Sequence, residues 1–273
     1  MELQWPLILF TTFVAWAAGL FGVQGVLALL KGADGKRGTA RKAQLPALIG
    51  SVVLLAISGV SVFFHLQHWE RIFNGFGHLT SGITQELIAI VVFVLVAFVY
   101  FLMLRRAEEP GTVPAWVAVL AIAISAVLAL VCAHSYMMAS RPAWDSVLQV
   151  LSVLGAALVA GPATLAAIMA FAGDDVRPVG PVALAGAIAG AVLVVAYAAY
   201  LQTTGGSFID VGYYSNPTTQ AEGQVDFSAV GWKKADARLW KALGTAAAVC
   251  AVVGAICLRV GFYQLGYSVF MYF

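Results

Sequence analysis

The chain has 273 residues, 62% of them hydrophobic and only 10% charged, against roughly 25% charged in a soluble domain. That is too little polar surface to cover a soluble protein of this length, so the sequence is that of an integral membrane protein, as its mean hydropathy of +0.91 also requires. A formal net charge of +2 is too small to single out nucleic acid or an acidic partner.

A bilayer core takes about 20 apolar residues per helix, and seven segments of that length stand out in chain order: Pro6 to Leu30, Leu45 to Phe64, Thr84 to Leu104, Val113 to Met138, Val147 to Phe171, Val179 to Leu201 and Leu239 to Leu258. The expected fold is an all-α bundle of seven transmembrane helices, with eight as the alternative, forming a single domain over residues 1–273. The chain opens MELQWPLILF, with Glu2 where a signal peptide carries positive charge, so the first run reads as a retained span.

Loop one carries Lys31, Lys36, Arg37, Arg41 and Lys42, which predicts that it is cytoplasmic and that the N-terminus lies outside. Alternation then puts residues 65–83 outside, Arg105 and Arg106 inside, Arg141 outside and AGDDVRP inside. The polar stretch at about 203–236, rich in Gly, Tyr, Ser and Thr, has no apolar run long enough to cross and is expected to be an outer loop. Lys233, Lys234, Arg238 and Lys241 before the last span pull the other way, since charge of that sign prefers the cytoplasm.

Small residues recur at helical spacing in the first span (Gly19, Gly22, Gly25) and in the sixth (Gly186, Gly190), as close helix packing in lipid demands. Cys132, Cys250 and Cys257 all lie in apolar runs and read as small buried hydrophobes. Neither a P-loop nor a G-x-G-x-x-G is present.

Chemistry concentrates between spans two and three, in SVFFHLQHWERIFNGFGHLTSGITQELIAI. Glu86 lies about a turn inside the third span, where an ionisable group is expensive and is a functional candidate by default. His65 ends the second span, and imidazole is the side chain whose unperturbed pKa lies nearest physiological pH. Because sequential antiparallel helices return to one membrane face, the two are expected to share a pocket, with Trp69, Phe73 and Phe76 as flat walls and Arg71 and Asn74 as donors. Such a site suits a planar redox ligand such as a quinol. His68 and His78 read as solvent-facing. Two other readings stand beside it. His134 opposite His65 could ligate haem, giving a haem-bearing quinol dehydrogenase, and Glu86 alone could couple protons in a small transporter or channel.

The order His65-Leu66, Arg71-Ile72-Phe73-Asn74, Ser81 and Glu86 resembles the signature of the membrane-anchor subunits of dimethyl sulfoxide reductase, the DmsC family. WPLILF and LALLKG in the first span, Pro142-Ala143-Trp144, Ala160-Gly161-Pro162, and Arg259 with Phe262-Tyr263 fit family positions too. The resemblance implies a multi-pass protein of the bacterial inner membrane that binds menaquinol near the outer face and has no haem or iron-sulfur cluster of its own. It implies partners as well: an iron-sulfur electron-transfer subunit and a molybdopterin catalytic subunit. His65 and Glu86 would be the quinol-site histidine and glutamate, with Arg71 beside them. The family pattern has eight helices, and it puts the basic cluster before the last one inside.

Overall fold

The computed structural model describes residues 5–31, 38–65, 78–139, 141, 143–209 and 237–265. Among the described residues there are seven helices: α1 (Trp5–Leu29), α2 (Gln44–Phe63), α3 (Gly82–Arg106), α4 (Ala115–His134), α5 (Val147–Ala172), α6 (Val179–Ile209) and α7 (Ala237–Leu265). Each contains a segment long and apolar enough to cross a membrane. A chain in lipid has no water to satisfy its peptide groups, so apolar runs of this length resolve into helices.

Helix boundaries follow local chemistry. The Ser146 side chain accepts from Leu148 N at 3.2 Å and starts α5, while Gly173, at φ 75°, ends it by donating its N–H to Met169 O. The next residue, Asp174, accepts from Ala43 N at 2.8 Å and so places a carboxylate at the start of α2. Asp175, beside the Arg177 guanidinium, is held below the usual carboxylate range, but the pair is exposed and adds little to stability.

α1 buries most of its surface, from Ile8 and Phe10 through Phe21 to Leu27, because α2, α4 and α5 pack on it; the stripe of Leu9, Phe13, Trp16, Gly22 and Val26 is half-buried. It touches α5 backbone to backbone. A Cβ on Gly19 would run into the Ala157 carbonyl, and one on Gly161 would strike Gly19 itself. α6 lies equally close on the other side of α5: Gly186 sits against the carbonyl of Leu158, which Pro162 leaves without a helical donor, and Gly190 sits against Gly155. Outward faces such as Ile88, Val91, Leu95 and Phe98 on α3, and Leu184, Ile188, Val192 and Val195 on α6, are exposed apolar stripes, as a lipid-facing surface should be.

One end of the bundle gathers Arg41, Lys42, Arg105, Arg106 and Arg177; the opposite end carries Glu86. Near the basic end the buried side chains of Gln24, Gln44 and Tyr100 tie three helices together: Gln24 Nε2 donates to Gln44 Oε1 at 2.9 Å, and the Tyr100 hydroxyl donates to the same oxygen at 2.7 Å. Tyr100→Phe removes one of these bonds and leaves the other, so a stability loss of about 1 kcal/mol is expected, readable as a lowered thermal midpoint in detergent.

α6 and α7 run in the same direction. At the basic end Lys241 Nζ lies 5.5 Å from the Phe171 ring centroid, and a Cβ on Gly244 would meet Ala167 Cα at 3.1 Å. At the Glu86 end the Tyr197 hydroxyl donates to Ala143 O at 3.0 Å, and Trp144 Nε1 donates to Phe262 O at 2.8 Å, with the Trp144 and Phe262 rings stacked 4.7 Å apart. The first residues of the outer loop expected at about 203–236, as far as Ile209, continue α6 instead. The start of α7, with Arg238 and Lys241, falls at the end that gathers Arg41, Lys42, Arg105, Arg106 and Arg177, which is where its charge belongs. Residues 210–236 themselves lie outside the described residues.

Candidate functional site

Five of α3's six buried residues form a stripe: Glu86, Ala89, Phe93, Ala97 and Tyr100, spaced three or four apart. Glu86 is the first of them, so its carboxylate faces protein and not lipid, with 8% of its surface exposed. Its partner comes from α4. The Ser135 hydroxyl, at the C-cap of that helix, donates to Glu86 Oε1. The approach depends on Gly82, one turn before Glu86 on the same face, where a Cβ would lie 2.8 Å from Ser135 Cβ. Glycine there lets the first turn of α3 close onto the end of α4. The Cys132 thiol is buried nearby, and Ser135 Oγ is also 3.1 Å from the Cys132 carbonyl oxygen.

His65 stands at the same end of the bundle. Its backbone N–H bonds to Val62 O at 2.9 Å in the turn that closes α2, and the residue is exposed. Phe63 and Phe64 beside it are exposed too, the latter by 81% of its surface. Leu79 and Ile83 expose apolar side chains around the entry to α3. Among the described residues no hydrogen bond or ion pair joins His65 to Glu86. The two are brought to one end, but Glu86 turns toward α4, because the face of α3 that carries it is the face packed on that helix.

Trp69, Arg71 and Asn74, with His68, Phe73 and Phe76, lie outside the described residues. His78 is exposed just before α3, and His134 is exposed at the end of α4. Among the described residues no group of three or more His, Cys, Asp or Glu side chains could hold a metal ion.

Ser135 is the participant that sequence reasoning missed. Its contact with Glu86 spans 49 positions, so no local motif links them. The one available signal is a hydroxyl residue directly after an apolar run, beside His134. A second cluster at this end joins motifs that are far apart in sequence: Arg141 lies 4.2 Å over the Trp144 ring, and Arg259, buried in α7, lies 5.1 Å over Phe262. It fixes the ends of α6 and α7 beside the start of α5 and leaves Glu86 to the α3–α4 side.

A model of the DMSO reductase anchor subunit (DmsC) family matches residues 1–222. Neither a curated protein nor a solved structure matches the chain. The matched range takes in α1 to α6 and with them His65, Glu86, Ser135 and the α1–α5 glycine contact. A bundle of membrane-crossing helices and a family match over most of its length agree on one statement: the chain belongs to the DMSO reductase anchor subunit (DmsC) family, and is a multi-span membrane protein whose family serves as the anchor for catalytic partner subunits.

Proposed function

We propose that this subunit oxidises menaquinol at the Glu86 end of the bundle. That end faces the outside of a bacterial inner membrane, and the electrons pass to an iron-sulfur partner subunit and on to a molybdopterin catalytic subunit. The whole chain acts as one transmembrane domain, with no haem or cluster of its own. The observation that carries the reading is a carboxylate buried a turn inside a membrane helix, with a hydroxyl as its hydrogen-bond partner, at the end where His65 also stands.

Oxidising a quinol to a quinone releases two electrons and two protons, and the electrons leave readily only if the protons have somewhere to go. His65, exposed at this end of the bundle, accepts one hydroxyl proton or its hydrogen bond, as a neutral imidazole nitrogen can. Glu86 accepts the other and passes it to water at the same end. Exposed Phe63, Phe64, Leu79 and Ile83 give the apolar surface that a flat ring system needs, and Trp69, Arg71 and Asn74, in the connecting segment, are its further contacts. Clustering of Arg41, Lys42, Arg105, Arg106 and the start of α7 at the opposite end supports the orientation. A transporter would hold its carboxylate near the bilayer midplane at a broken helix, whereas Glu86 is near one end of a continuous α3.

His65→Ala tests the site in the assembled complex. Reduction driven by quinol is expected to fall by at least about tenfold, while reduction from a soluble artificial donor, which enters at the catalytic subunits, reports that the complex is intact. Wild-type quinol-driven rates in this variant would sink the assignment of His65.

A further inference from the structure

We propose that Ser135 is the positioning residue of Glu86, a hydroxyl that hydrogen-bonds the carboxyl group in both of its protonation states by turning its single proton between two acceptors. The inference rests on the reading of Glu86 as a proton-accepting group and adds to it the element that lets a buried carboxyl change charge without losing its partner.

The geometry is specific. Ser135 Oγ is within hydrogen-bonding reach of two acceptors, Glu86 Oε1 and the Cys132 carbonyl oxygen, the latter at 3.1 Å. A serine hydroxyl has one hydrogen and two lone pairs, so it donates to one of these at a time. When Glu86 is a carboxylate, the hydroxyl donates to it. When Glu86 has taken a proton from the quinol, the acid's own O–H donates to Ser135 Oγ, and the serine hydrogen turns to the Cys132 carbonyl. That carbonyl is in the last turn of α4, where helix oxygens lack helical donors. No covalent bond of the serine is made or broken, and the proton count is that of Glu86 alone.

A buried charge that loses its only hydrogen bond is costly, and so is a buried acid with no acceptor; a hydroxyl serves both states where an amide or a thiol would not serve equally. Gly82 holds the arrangement from the other side. Its missing Cβ is what leaves room for Ser135 against the first turn of α3.

The test uses the assembled complex in membranes. The carbonyl stretch of protonated Glu86 is identified in infrared difference spectra by its loss in Glu86→Gln. In Ser135→Ala that band is expected to move to higher wavenumber as the acid loses its acceptor, and quinol-driven kcat is expected to fall by about tenfold with little change in KM. Gly82→Ala keeps the hydroxyl but crowds it, and is expected to shift the same band. A band at its wild-type position in Ser135→Ala, whatever the rate, overturns the inference, and so does a wild-type kcat. The outcomes separate from those of the underlying reading: undiminished quinol-driven turnover in Glu86→Gln strikes the role of Glu86, while an unmoved band strikes only that of Ser135.

Discussion

Glu86→Gln is expected to lower quinol-driven turnover by about 10² to 10⁴-fold, the range spanned by loss of a general acid–base group. Gln keeps the shape of the side chain, and its amide oxygen can still accept from the Ser135 hydroxyl. What it cannot do is take up a proton. The effect should therefore fall on kcat, with KM little changed, because quinol contacts are retained while the proton sink is lost. Reduction from an artificial donor in the same membranes serves as the measure of intact complex. Turnover from quinol within twofold of wild type would leave Glu86 as a structural carboxyl only. His65→Ala should give the smaller loss, since an exposed imidazole can be replaced in part by water.

Gly161→Val is expected to be the most damaging single change for the fold. A Cβ at this position would collide with the backbone of Gly19, and a Cβ at Gly19 would collide with the backbone of Ala157. Backbone atoms cannot swing away as a flexible side chain can, so α1 and α5 must separate along their contact. Both helices sit at the centre of the bundle, with α2 and α4 packed on α1 and α6 and α7 packed on α5, and the displacement disturbs each of those interfaces. A loss of about 3 kcal/mol or more follows from overpacking at this site, read as a large drop in the thermal midpoint in detergent or in the yield of folded protein. Gly59→Ala is the control. Nothing lies within 4 Å of a Cβ there, and alanine in a helix interior is favoured over glycine by about 1 kcal/mol. Equal stability of Gly161→Val and wild type would remove the backbone contact from the account.

The spans were legible because hydropathy and helix formation are coupled locally. Pro6 to Leu30 against Trp5–Leu29, or Val179 to Leu201 against Val179–Ile209, differ only where ends fray or continue into water. Gly186 and Gly190 read correctly as close-packing positions, and both sit against α5. Glu86 was legible for a related reason: a carboxyl inside an apolar run has few structural excuses.

Three things were decided only in three dimensions. The partner of Glu86 is Ser135 on α4 and not His65 at the end of the adjacent helix. α7 runs parallel to α6, set by Lys241 against Phe171 at one end and Trp144 against Phe262 at the other. Gly19 and Gly161, 142 positions apart in the chain, bring two helices into backbone contact. The physical reason is common to all three. In water, the contrast between apolar and polar faces tells which side of a helix turns inward, but lipid is as apolar as the interior, so that contrast is absent here. Sequence by itself therefore determined that the chain crosses the membrane, roughly where it does so, and which buried carboxyl is out of place. Which faces meet, and in which direction the last helix runs, depended on shape and on a few polar contacts between residues far apart in the chain.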